Sequence, residues 1–175
     1  EAEEILRGGY RVLSRRIEAR GGFPDWHRDY FSDTRFPLSP YMRVVTPEDT
    51  GADIVIPWEL SRLQFVPALV QAHRATGDRR YPDFFHRMLA DWERGNPFLF
   101  GVNWACGMDV AIRALHIALG IVYFDDVREQ KAGAVRLLWA HLKYVQERDL
   151  YLPKHTLNNH QLVAAALHCA LLHLF

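Results

Sequence analysis

The hydrophobic and polar positions divide the chain into helical stretches separated by one long irregular stretch. Ile5, Leu6, Val12, Leu13 and Ile17 fall near one face of a 3.6-residue period, which predicts a helix from Glu3 to Ala19. Gly8-Gly9 weakens it and Gly21-Gly22 stops it. The period returns at Trp58, where Leu60, Leu63, Val66, Leu69, Val70 and His73 form one stripe down to Gly77. Pro67 lies inside this helix and is expected to kink it. A Thr76-Gly77-Asp78 turn leads to a helix from Tyr81 to Arg94, with Phe84, Phe85, Met88, Leu89 and Trp92 apolar. Trp58 to Arg94 thus predicts a helical hairpin. Gly95-Asn96-Pro97 breaks the pattern. Helices from Trp104 to Phe124 and from Val127 to about Arg148 predict a second hairpin. After a connector holding Pro153, LNNHQLVAAALHCALLHLF opens one more helix near Asn159.

Helix pairs that repeat without strands predict an all-α fold of antiparallel hairpins, as in α/α arrays or toroids. The pairs share no strong identity, which disfavours a consensus-repeat solenoid. Residues 23–57 stand apart: they hold five of the nine prolines and no sustained helical period. Their aromatics (Phe23, Trp26, Tyr30, Phe31, Phe36, Tyr41) suggest an ordered arm packed on the helices rather than a linker. The same rings could alternatively form a sugar platform.

The 175 residues suit one domain with a real core. Lys plus Arg equals Asp plus Glu, 21 each, so no global basic field argues for nucleic acid. The longest apolar run is too short and too rich in His to span a bilayer. Cys106 and Cys169 lie in apolar helical patterns without CxxC spacing and read as small buried hydrophobes, with a disulfide between them left open. The chain lacks an initiator Met and runs out inside a helical pattern, so it is expected to be part of a longer protein.

Asn158, Asn159 and His160 stand before an apolar run. An asparagine there is a strong N-cap, and the first turn carries the positive end of the helix dipole. An amide and an imidazole at that place can receive a carboxylate; equally, Asn158 can simply cap the helix and His160 sit at the core edge. Asn103 likewise opens a predicted helix with Trp104, which gives a flat face for a pyranose. Glu59 and Arg62 can pair on one helix face, as can Asp109 and Arg113. There is no Ser/His/Asp spacing, HExxH, phosphate loop or Walker sequence. His155 and His160 do not match common zinc spacing, and Asp125-Asp126 lacks the further Asp of a diphosphate-metal motif. No cofactor or metal is expected in this chain.

Five motifs, in this order and spacing, resemble the N-terminal helical domain of the heparinase II/III-like polysaccharide lyases, which include oligoalginate lyases. They are PWELSR at 57–62, TGDRRY at 76–81, the run from Trp92 through Asn96-Pro97 to Asn103-Trp104, MDVAIR at 108–113 and the Asn-Asn-His start at 158–160. Asp109 stands where that family more often carries Glu. The resemblance implies an incomplete (α/α) toroid over residues 1–175, a C-terminal β-sandwich beyond it, and cleavage of acidic polysaccharide by β-elimination in the cleft between them. It assigns Asn159 and His160 to catalysis and carries Asn103 and Trp104 over as cleft residues contacting substrate. The family's catalytic tyrosine is expected beyond Phe175. The resemblance alone implies a periplasmic or secreted location.

Two other readings remain. A glycoside hydrolase on an α/α toroid needs two carboxylates facing across a cleft, with Glu59, Asp109, Asp125 and Asp126 as candidates. A glycan-binding module needs no chemistry at all.

Overall fold

At Gly8 the backbone takes φ 88°, and the first helix stops there. The computed structural model describes residues 1–19, 21–44, 51–124, 128–151, 162–163 and 165–167. The first helix, α1, covers only Ala2–Leu6. The chain then forms an antiparallel hairpin of β1 (Gly9–Val12) and β2 (Arg15–Glu18), pairing Tyr10 with Ile17 and Val12 with Arg15. The helix expected from Glu3 to Ala19 is therefore replaced after its first turns. Burial follows a period of two: Tyr10 and Val12 are inside, Arg11 is outside, and Ile17 lies inside between exposed Arg16 and Glu18. Val12 and Ile17 fit both periods, and the Gly8-Gly9 pair decides for the turn.

The aromatic arm is ordered through its described part. Trp26 and Phe36 are buried, and Phe23, Tyr30, Phe31 and Tyr41 pack against the core. A short hairpin of β3 (Arg28–Asp29) and β4 (Thr34–Arg35) turns back on itself. The buried Asp29 carboxylate accepts from Asp53 N–H, Phe31 N–H and Ser32 Oγ–H, at 2.9, 2.8 and 2.7 Å. Burial works against this carboxylate, but these bonds bring it below its ordinary pKa. The first of them ties the arm to the segment before the next helix.

The stripe beginning at Trp58 forms two helices instead of one kinked helix. Helix α2 covers Val55–Ser61 and α3 covers Val66–Thr76. Between them Leu63 takes φ 58° with its side chain fully buried. Pro67 sits in the first turn of α3, where a missing N–H breaks no helical bond. Gly77, at φ 70°, closes α3, and α4 runs Arg80–Gly95. Trp104 does not open the next helix: a 3-10 turn at Val102–Trp104 precedes α5 (Gly107–Tyr123). Helix α6 covers Arg128–Tyr151. Described residues 162–163 and 165–167 are helical, with Leu167 buried.

The protein is mostly helical, as the sequence leads one to expect, with a few short strands that the all-α reading does not include. Helix α5 is central, packing chiefly on α6 and also on α3. A β-carbon on Gly120 of α5 would overlap the Phe85 ring of α4, so this glycine permits close approach. Among the described residues no helix is long and apolar enough to cross a membrane.

Candidate functional site

Residues of three motifs, PWELSR, the run from Trp92 to Trp104 and MDVAIR, converge on one buried polar network. Asn96, just past the end of α4, donates from Nδ2 to Trp92 O at 2.8 Å and accepts from Asn103 Nδ2 at 2.8 Å. Asn103 Nδ2 also donates to Trp26 O at 2.7 Å, which fastens the arm. Trp92 Nε1–H donates to Ser61 Oγ at 3.1 Å, and Trp58 Nε1–H donates to Val102 O at 2.8 Å. From α5, Arg113 donates to Ser61 O at 3.3 Å, to Asn103 O at 2.9 Å and to His141 Nε2 at 2.8 Å. Its guanidinium lies 4.2 Å over the Trp92 ring. Four different segments thus meet at one cation.

These bonds fix the protonation states. His141 Nδ1–H donates to Leu137 O, so Nε2 carries the lone pair that Arg113 meets. Burial, and then the Arg113 charge, push His141 well below its ordinary pKa, and the ring is neutral. Burial pushes the Arg113 guanidinium down to about 9 while the Asp109 charge opposes it, so Arg113 stays charged at neutral pH. A sealed cation and a neutral ring of this kind position helices; they do not reach a substrate.

A second cluster lies nearer the surface. Arg62, just past the end of α2, binds Glu59 of that helix and Asp109 of α5. Glu59 and Arg62 side chains are 16% and 14% exposed, whereas Asp109 is 1% exposed. The expected Glu59–Arg62 pair therefore forms. The expected Asp109–Arg113 bond does not, because Asp109 turns to Arg62 and Arg113 is occupied by carbonyls and His141. Asp109 Oδ2 has no hydrogen-bond partner among the described residues, and the Cys106 thiol beside it is raised to about 11, by burial first and Asp109 second. His116 shares its ring proton with Arg62 O at 2.8 Å.

The sequence-derived site residues fall in two groups. Asn159 and His160, together with Asn158, His155, Cys169, Asp125 and Asp126, lie outside the described residues. Asn103 and Trp104 are described, and both are interior, at 0% and 1% exposed. Trp104 is enclosed by Trp92, Phe98, His141 and Tyr144, whose hydroxyl donates to Trp104 O. Neither residue faces open space among the described residues. The Asn103 amide nitrogen is spent on Trp26 O and Asn96 Oδ1 and the Trp104 indole N–H on Asn96 O, while Asn103 Oδ1 has no hydrogen-bond partner among the described residues. Compared with known protein families, curated proteins and solved structures, the chain matches none.

For a carboxylate pair, Glu59 and Asp109 are the described candidates, and they share one arginine instead of facing each other across a gap. Among the described residues no group of three His, Cys, Asp or Glu side chains could hold a metal ion. Sequence reasoning missed His141 and Tyr144. The signal was present: Leu137, His141, Tyr144 and Val145 share one helical face, so a histidine on that face is interior and needs partners.

Proposed function

We propose that this chain is the helical half of a polysaccharide lyase cleaving uronic-acid-containing polysaccharide by β-elimination. In this reading it forms part of an (α/α) toroid completed by later helices, with a β-sandwich after it, acting in the periplasm or outside the cell. One observation supports it above the others. Three of the five motifs behind the family resemblance, PWELSR, the Trp92-to-Trp104 run and MDVAIR, interlock in the single network around Ser61, Asn103 and Arg113. A fourth, TGDRRY, builds the α3–α4 turn: Asp78 caps Arg80 N–H at 2.9 Å, and Arg80 and Tyr81 bind Glu3. Residues spaced to build one framework are shared for the framework's sake.

The chemistry follows from the substrate. The C5 proton of a uronate is α to a carboxylate and barely acidic while that carboxylate keeps its charge. In this reading Asn159 and His160 neutralise the carboxylate and stabilise the enolate-like intermediate. A base takes the C5 proton, the C4–O bond breaks, a C4–C5 double bond forms, and the leaving oxygen gains a proton. His160 is an alternative acceptor for the C5 proton, since imidazole titrates near neutrality. A tyrosine beyond Phe175 supplies the acid. The test is to incubate the intact protein with alginate, polygalacturonate and glycosaminoglycans and follow ultraviolet absorbance. Unsaturated products with one of these uronans support the proposal; silence with all of them sinks it.

A further inference from the structure

Four large apolar side chains stand exposed on two loops that hold each other. Leu38 and Met42 belong to the arm, Phe98 and Phe100 to the loop between α4 and the 3-10 turn; they are 49%, 79%, 46% and 42% exposed. Tyr41 N–H donates to Leu99 O at 2.9 Å, Gly101 N–H donates to Ser39 O at 2.7 Å, and Pro40 bridges Phe100. The Phe98 ring meets buried Trp104 edge to face, 5.1 Å between centroids. Leu99 and Gly101 hold left-handed backbone, at φ 67° and 84°, and a β-carbon on Gly101 would overlap His27. The rings are therefore set on a rigid support. A clustered apolar surface of this kind marks a binding site.

The charges choose the ligand. Segments 37–43 and 97–101 contain no carboxylate. They carry one cation, Arg43, which is exposed and forms no ion pair with a described residue. Flat rings on loops that carry an exposed arginine, with no carboxylate partner for it among the described residues, suit a pyranose ring bearing a carboxylate, through CH contacts with the rings and a charge-assisted bond. We propose that the Leu38–Met42–Phe98–Phe100 surface with Arg43 is a subsite for an acidic glycan chain. The inference rests on the uronan reading above. It moves substrate contact from Asn103 and Trp104, which are buried, to the loop that those two residues anchor.

The test uses the intact protein carrying His160→Ala to stop turnover. Calorimetry measures binding of oligomannuronate, oligoguluronate and oligogalacturonate, with neutral manno-oligosaccharide of equal length as the control. Phe98→Ser/Phe100→Ser is expected to weaken binding of the preferred uronate by about tenfold or more, the scale of a stacking anchor. Arg43→Gln leaves the rings in place and is expected to weaken the uronate by about threefold to fivefold without affecting the neutral glycan. Affinities within about twofold of the parent in both variants, or a parent that binds no uronate, overturn the subsite. Equal loss for the neutral glycan overturns its acidic preference. Elimination by the His160-containing protein is followed in parallel. Unsaturated products with unchanged variant affinities leave the lyase reading standing and sink the subsite. Binding lost in the variants without any unsaturated product does the reverse.

Discussion

Arg113 Nε donates to His141 Nε2 across 2.8 Å, and neither residue is exposed. A charged donor joined to a neutral ring inside a helical core needs further acceptors, and here the carbonyls of Ser61 and Asn103 each take an N–H from one terminal guanidinium nitrogen. Arg113→Met leaves those acceptors and Nε2 bare. It is expected to lower unfolding free energy by about 3–5 kcal/mol, measured by urea titration, because each unmade buried bond costs about 1–3 kcal/mol. A loss below about 1 kcal/mol would remove Arg113 from the centre of the network.

Stability is expected to fall with acid, beginning near pH 6.5. His27, His116 and His141 all titrate below their ordinary value, in each case chiefly through burial. The unfolded chain therefore takes up protons that the folded chain refuses. Stability is full above the unfolded value and declines as pH falls toward the folded values, by up to about 1.4 kcal/mol per pH unit for each histidine. Asp29 acts only in a lower range, because its folded pKa lies below the carboxylate value. Melting followed from pH 7.5 to 5 checks this, and His141→Gln is expected to flatten the slope.

The two carboxylates on Arg62 are unequal. Arg62→Met strands Asp109 inside and is expected to cost about 3–5 kcal/mol, whereas Glu59→Gln, nearer the surface, is expected to cost about 1 kcal/mol or less. Chemical denaturation of the two variants gives the order. Equal losses would place the weight of the cluster on Glu59.

Cys106 is expected to resist alkylation in the native protein at pH 8. Its thiol is buried and raised to about 11, so little thiolate forms and little reagent reaches it. With Cys169→Ala in the background, iodoacetamide adducts located by mass spectrometry are expected at Cys106 only in denaturant. Rapid native labelling would mean that the start of α5 opens readily.

Much of the helical framework was legible because long amphipathic patterns leave few alternatives: α4, α5 and α6 lie within a few residues of their predicted spans. The N-terminal hairpin was not, because Val12 and Ile17 satisfy a helical stripe as well as a strand face. Only the glycines at 8 and 9 discriminate, through a turn. The α2–α3 break was also hidden, since Pro67 reads equally as a kink or a first-turn residue and Leu63 gives no hint of its left-handed backbone. Of the site, residue types were legible and directions were not. Asn103 and Trp104 look like surface chemistry in a sequence, yet their polar atoms fasten Trp26 and Asn96 in the interior. Asp109 was paired with its neighbour four residues on, because local spacing is visible in a sequence and a partner just past α2 is not.

The mass of the products tests the uronan-lyase proposal most directly. Intact protein is given a uronate oligomer of defined length, and the two fragments are weighed. Elimination adds nothing, so the fragment masses are expected to sum to that of the substrate, with the new non-reducing end one water lighter than a hydrolytic one. Asn159→Ala and His160→Ala are expected to abolish both fragments while leaving the oligomer bound. Fragments whose masses sum to substrate plus one water would contradict the account and make the protein a hydrolase.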